Sequence, residues 1–266
     1  TGEGTQHMDG HSPLLASTNT SVVSYDPAYG YEIAHIVKDG LRRMYGEQPE
    51  DVIYYLTVYN EPIVQPKEPE GVEVEGIIRG MYLLKEGSFD GVGEDARRAQ
   101  ILASGVGVPW ALEAQGLLKE DYGIVADVWS VTSWGELRRE GLESDEKKFQ
   151  DPFGEHEKIW VEQKLGDRPG PVVAVSDYMR AVPDQIRQWV PGDDYLTLGA
   201  DGFGFSDTRA AARRFFHIDG PSVAVAVLQQ LARRGDIPQE WATKAYEKYQ
   251  LDDVNAGTSG NAGGDA

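Results

Sequence analysis

The feature that most limits what this chain can fold into is an alternation of strand-like runs with helical stripes, already complete within its first sixty residues. NTSVVSY (19–25) is rich in β-branched residues and reads as a short buried strand. Apolar residues then recur at Ile33, Ala34, Val37, Leu41, Met44 and Tyr45, the spacing of one helix face, and Gly46 stops the pattern. Asp26 and Pro27 fit the cap and first position of that helix. DVIYYLTVY (51–59) is a second strand, so the order is strand–helix–strand, the unit that parallel α/β sheets repeat. The residues before 19 read as a loop.

NEPIVQPKEPEG (60–71) interrupts the pattern with three prolines and reads as a linker. IIRGMYLLK beyond it is either a short strand or a helix, and EGSFDGVGED is loop. Alternation then resumes with RRAQILASG as strand, VPWALEAQGLLKEDYG as helix and IVADVWSV as strand. Ser133 and Glu136 form a capping box opening another helix. PVVAVSD (171–177) and DYLTLGA (194–200) are further strands, with helices expected around 178–190, 208–217, 221–234 and 238–249. NAGTSGNAGGDA (255–266) has the composition of a disordered tail. The fold class is α/β: an N-terminal remnant, then a doubly wound, mostly parallel sheet from about residue 70.

Charge and composition narrow the partners. The chain has 266 residues, enough to bury a real core, and 25 basic against 44 acidic residues leave a net charge of −19. Such a surface repels phosphate backbones and anionic lipid, so nucleic acid and membrane are not expected partners. No cysteine occurs, which removes disulfides, thiolate catalysis and cysteine-bound zinc, and fits a cytoplasmic location. No apolar run approaches a membrane span, and no basic, then apolar, leader opens the chain. It begins with Thr, as a processed chain or a fragment would.

Several constellations carry possible chemistry. ASGVGVPW (103–110) imitates a dinucleotide-binding turn, with Asp127 about twenty residues on. Trp110 replaces the third glycine and Asp127 sits inside its strand, so a tight strand-to-helix turn is the better reading. In TGEGTQHMDGHS (1–12), Glu3, His7 and His11 are spaced four apart. On a helix they would share a face and suggest a metal site. The glycines between them favour an extended catalytic or substrate-binding loop, and no metal is assigned. His35, His156 and His217 read as ordinary helix residues. DGFGFSD (201–207) reads as a turn whose aromatics pack on a neighbour. There is no nucleophile elbow and no phosphate-cradling P-loop.

GEGTQHMDGHS, YDPAYGYE, YYLTVYNEP, DVWSVTSWGEL and SDYMRAVPDQIRQWVPGDDYLTLGADGFGFSDTRAAARRFF together closely resemble the homodimeric type of pyruvate dehydrogenase first component. The likeness covers nearly the whole chain except the tail and the 85–95 and 141–165 segments. Ala200 and Phe205 depart from it, standing where a threonine and a basic residue are expected. The resemblance implies residues 1–67 as the end of a thiamine pyrimidine-binding domain, 68–254 as a transketolase C-terminal-like domain and 255–266 as tail. It implies thiamine diphosphate and magnesium as cofactors of the full-length enzyme. The family's GDG motif does not occur here, and its aminopyrimidine-binding glutamate lies upstream, so the main cofactor anchors are outside this chain. The implied reaction is oxidative decarboxylation of pyruvate with acetyl transfer to a lipoyl carrier. The implied partners are a second copy of the subunit and the lipoyl-bearing acetyltransferase component. Within the opening loop the resemblance places His7 beside the reacting carbon, with Glu3 and His11 binding substrate or orienting the loop.

Two other classes of function fit the residues. One is a nucleotide-binding oxidoreductase using the 103–110 turn; the other is a structural module for dimerisation and docking. Among enzymes, another 2-oxo acid dehydrogenase component is the nearest competitor. The chain alone is expected to be inactive.

Overall fold

The computed structural model describes residues 8–258. A short helix, α1 (Ser12–Ser17), precedes β1 (Val22–Tyr25), α2 (Gly30–Tyr45) and β2 (Ile53–Leu56). β1 and β2 pair in parallel, Val22 opposite Ile53 through Tyr25 opposite Leu56, so the anticipated strand–helix–strand unit is present. Two details differ from the sequence reading. Residues 12–17 are helical rather than loop, with Pro13 in the first turn and the Asp9 carboxylate accepting from the backbone N–H of Ser12 at 2.9 Å. And α2 begins after Tyr29, not at Asp26–Pro27. Glu32 folds back to accept from the backbone N–H groups of Ala28 and Tyr29, at 2.6 and 3.0 Å, and so does the capping. Asp26 is unavailable because its carboxyl is buried against other partners.

Residues 57–73 carry no helix or strand. α3 (Val74–Arg79) and β3 (Tyr82–Lys85) follow, so the ambiguous IIRGMYLLK segment is helix and then strand, broken at Gly80 in the left-handed region. The chain continues through β4 (Arg98–Ala103), α4 (Gly107–Tyr122), β5 (Val125–Ser130), α5 (Trp134–Gln150), α6 (Trp160–Leu165), β6 (Val172–Val175) and β7 (Tyr195–Leu198). It ends with α7 (Arg209–Phe215), α8 (Gly220–Arg234) and α9 (Gln239–Lys248). Strand order is β3-β5-β4-β6-β7, with β3 antiparallel and the rest parallel. This is the mostly parallel α/β sheet that the alternation called for.

Both faces of the sheet are covered, as parallel strands require. Ala99, Ile101 and Ala103 of β4 point with Val173 and Val175 of β6 into a core closed by α4, α8 and α9. Leu102, Trp129 and Ala174 point the other way, against Leu137 of α5, Trp160 of α6 and Ile186. α8 is buried along most of its length because VAVAVL leaves it no polar face there, each buried valine contributing roughly 1.5–3 kcal/mol. Ser133, Thr208 and Asp219 cap α5, α7 and α8 through their side-chain oxygens, the first as the sequence indicated.

Three further elements depart from the sequence reading. Pro183–Trp189 is a 3₁₀ helix instead of an α-helix over 178–190; Pro183, at its first position, fixes the turn and offers no N–H. α6 occupies the 141–165 region, where no second helix was expected. Val254–Thr258 forms a 3₁₀ turn packed on α7, although its composition suggested disorder; residues 259–266 lie outside the described residues.

Candidate functional site

From β4 the chain passes to β5 on one side and later to β6 on the other. The carboxyl ends of β4 and β6 therefore bound the crevice where open α/β sheets take ligands. Ser104 and Ser176, the residues immediately after these strands, are fully buried with their hydroxyl oxygens 3.5 Å apart. Side chains that follow β1 and β2 fill this crevice. Asp26 Oδ1 accepts from Thr57 Oγ1 at 2.6 Å and from the Tyr59 phenol at 2.7 Å. The backbone N–H of Gly105 donates to the Asp26 carbonyl at 3.0 Å. Gly105 is in the left-handed region at φ 50°, and a Cβ there would lie 2.5 Å from the Tyr59 phenol oxygen and 2.6 Å from Asp26 Oδ1. Burial raises the Asp26 pKa; the hydroxyls of Thr57, Ser104 and Tyr59 oppose this and the Asp177 charge adds to it.

A second buried carboxylate ties the two sheets together nearby. Glu32, with no exposed surface, has Oε1 accepting from Tyr82 Oη and Ser130 Oγ, each at 2.7 Å, while Oε2 caps α2. Tyr31 Oη lies 2.6 Å from Tyr82 Oη and extends the chain of hydrogen bonds. Desolvation raises the Glu32 pKa, with its hydrogen bonds acting in the opposite sense.

Of the candidate residues in the opening loop, Glu3 and His7 lie outside the described residues. His11 is described and exposed, directly before α1, and its backbone N–H donates to Asp9 Oδ1 at 3.2 Å. Burial would raise the Asp9 pKa, but its bonds to Ser12 and His11 hold it below the usual carboxylate value. The loop is anchored: the Gly10 carbonyl accepts from the Met179 N–H at 2.9 Å, and a Cβ on Gly10 would stand 3.4 Å from the Ala200 carbonyl. Residues 8–11 thus rest on the segments that leave β6 and β7 at their carboxyl ends. Among the described residues no group of three His, Cys, Asp or Glu is arranged to hold a metal ion.

The imitation dinucleotide turn is a strand-to-helix turn. Asp127 is fully buried, accepting from Arg98 at 2.9 Å, Arg168 at 3.2 Å and the Gly87 N–H at 2.9 Å, and so it holds the 86–97 loop to the sheet. His35 does lie on α2, 3.0 Å from Glu68. His156 and His217 are not helix residues: the first sits in a loop on the Asp151 carbonyl, and the second takes the left-handed position ending α7 at φ 55°. In 201–207, Phe205 packs on Phe215 with ring centroids 4.4 Å apart, whereas Phe203 is exposed.

From the sequence Asp26 reads only as a helix cap, and Thr57, Tyr59 and Glu32 do not stand out. The available signal was positional. Asp26, Ser104 and Ser176 each follow a strand directly, where parallel sheets place functional side chains.

Family models match in two blocks. Residues 1–66 match the pyruvate dehydrogenase E1 component middle domain, and residues 80–219 the transketolase-like TK C-terminal domain. Proteins named pyruvate dehydrogenase E1 component are similar along nearly the whole chain. That of Mycolicibacterium smegmatis is 57% identical over 96% of this chain, and that of Mycobacterium tuberculosis 54% over 96%. That of Escherichia coli is 43% identical over 94%. The chain spans 27% of the length of each of these relatives. Among solved structures, a Pichia stipitis transketolase complexed with sedoheptulose 7-phosphate has a TM-score of 0.58 at 19% identity, covering 88% of this chain and 29% of that one. A split-gene transketolase in its inactive tetramer has a TM-score of 0.61 at 16% identity, covering 86% and 64%. The order of strands, the filled crevice and these matches agree: the chain belongs to the transketolase-like C-terminal domain family, in the form that pyruvate dehydrogenase E1 components carry behind their middle domain.

Proposed function

We propose that this chain forms the C-terminal portion of a cytoplasmic, homodimeric decarboxylase that oxidatively decarboxylates pyruvate and passes the acetyl group to a lipoyl-bearing acetyltransferase. The observation that carries this reading is the 57% identity, over 96% of the chain, to a protein named pyruvate dehydrogenase E1 component. Residues 1–67 are assigned to its middle domain, 68–254 to its C-terminal domain and 255–266 to a tail.

Such an enzyme uses thiamine diphosphate with magnesium, a group that stabilises negative charge on a carbonyl carbon. The described residues of this chain do not fit its diphosphate. The crevice that would suit one is packed with Asp26, Thr57 and Tyr59, and the Asp26 carboxyl would face an anion with an anion. The chain's contribution is instead the loop that ends at Gly10. Gly10 anchors that loop by accepting from the Met179 N–H. In this reading His7 donates a hydrogen bond to the keto oxygen of the substrate, and Glu3 and His11 orient the loop or bind substrate.

The test compares the chain alone with a full-length protein that contains it, using pyruvate-dependent ferricyanide reduction with thiamine diphosphate and magnesium. Turnover with pyruvate by the full-length protein only is expected. A full-length protein that reduces ferricyanide with 2-oxoglutarate but not pyruvate would overturn the substrate assignment. Turnover by the chain alone would overturn the placement of the cofactor outside it.

A further inference from the structure

Among the described residues, six buried side-chain polar atoms have no hydrogen-bonding partner in the protein. Three of them, Asp26 Oδ2, Trp134 Nε1 and Gln185 Oε1, belong to residues that line one small recess. The recess lies where the end of β1 meets the start of α5 and the 3₁₀ helix, and it offers ≈ 10 Å³ to the centre of a water-sized sphere. That is room enough for a water molecule.

Each of the three atoms is left over for a definite reason. Asp26 Oδ1 already accepts from Thr57 and Tyr59, so Oδ2 is the free oxygen. Gln185 Nε2 donates to the Val182 carbonyl at 3.0 Å, which fixes the amide orientation and leaves Oε1 as an acceptor. The indole N–H of Trp134 can only donate. Leaving such groups unpaired is costly, so a native fold seldom leaves three of them on residues that line one recess.

We propose that this recess is a binding site for a single buried water molecule, which accepts from Trp134 Nε1–H and donates to Asp26 Oδ2 and Gln185 Oε1. One donor and two acceptors are the complement of one water, which accepts and donates at the same time. A monovalent cation matches less well, because the indole N–H would point its positive end at the ion. The water fastens the β1–β2 sheet to the other face of the large sheet, independently of the Glu32 contacts. It also accommodates either protonation state of Asp26, since a water that donates to a carboxylate can turn to accept from a carboxylic acid.

The test is a high-resolution crystal structure of the unaltered protein, paired with a water-selective nuclear Overhauser experiment on its tryptophan indole protons. One solvent peak within hydrogen-bonding distance of all three atoms is expected, with a cross-peak from Trp134 Nε1–H to a long-lived water. A recess without density overturns the proposal. So does a peak that gains anomalous signal after thallium exchange, or rotamers that pair the three atoms with other protein groups. Absence of the Trp134 cross-peak in solution also counts against it.

Discussion

The phenol of Tyr82 on β3 and the carboxylate of Glu32 on α2 are hydrogen-bonded at 2.7 Å across fifty residues of chain, and with Ser130 they join the two sheets. Removing the carboxylate strips four donors at once: two hydroxyls and two backbone N–H groups. Glu32→Ala is therefore expected to lower unfolding free energy by about 3–5 kcal/mol, since each buried donor left unpaired costs roughly 1–3 kcal/mol. Tyr82→Phe, which leaves Glu32 three donors, should cost only about 1–2 kcal/mol. Urea titrations of both variants check this, and equal losses would mean that the network is not centred on Glu32.

The same carboxylate gives stability a pH dependence of known sign. Its pKa is raised in the folded state from the ordinary 4.5, so the folded protein binds the proton more tightly than the unfolded chain. This contribution is fully present below about 4.5 and is lost as pH rises through the raised folded value. Melting temperatures of the wild type and Glu32→Gln, taken at matched pH values, isolate it. The wild type is expected to lose ground relative to the variant as pH rises. A gap widening in the wild type's favour would contradict the assignment.

Gly105 is required by both its backbone and its surroundings. Gly105→Ala puts a methyl 2.5 Å from the Tyr59 phenol oxygen and must displace Tyr59 or Asp26. Gly71, at φ 73°, has nothing within 4 Å of the same methyl. Gly71→Ala should cost about 1 kcal/mol from backbone strain alone, and Gly105→Ala should exceed it by about 1–3 kcal/mol of overpacking. Equal melting temperatures for the two variants would show that the crevice is looser than its geometry.

Asp127 holds two arginines and the Gly87 N–H with no exposed surface of its own. Asp127→Ala leaves Arg98 without its carboxylate and Arg168 with Glu86 alone, and should cost about 3–5 kcal/mol. The 86–97 loop should then become the first site of limited proteolysis. NADH added to the wild type should not change tryptophan fluorescence, because Asp127 is not available to a ribose.

Alternation of strands and stripes made the sheet legible, because its strands are short β-branched runs and α5 carries the cap Ser133. Local signals misled where tertiary contacts outweigh them. Asp26 has the chemistry of a helix cap, yet Thr57 and Tyr59, more than thirty residues on, take its carboxyl into the interior. The turn at 254–258 rests on α7, some forty residues earlier, and no window of sequence contains that packing. Of the candidate site, the loop's composition drew attention to its histidines. Its anchorage on Met179, by contrast, depends on chain about 170 residues away, and the joining roles of Asp26 and Glu32 appear only once the sheets meet.

The last expectation concerns His7 and the anchor behind it, in a full-length protein carrying this chain. An imidazole has an unperturbed pKa of ~6.5 and can present a donor or a positive charge at neutral pH. A donor aimed at charge that develops during reaction is typically worth ~2.7–4 kcal/mol, or ~100–1000-fold in rate. His7→Ala should therefore lower kcat by that range while cofactor affinity and melting temperature change little. Gly10→Leu tests whether the anchor matters, since the Gly10 site has only 3.4 Å of clearance to the Ala200 carbonyl and 3.2 Å to Met8. A larger side chain there pushes the loop off Met179. It should reduce kcat as well, by misplacing His7, and combining it with His7→Ala should add little further loss because both act on one interaction. His11→Ala, at an exposed position, should cost less than either. Steady-state kinetics, cofactor titration and thermal melts on the same four proteins separate these outcomes. Near-normal kcat in His7→Ala would end its catalytic role, and losses that multiply in the double variant would show that Gly10 acts on something other than His7.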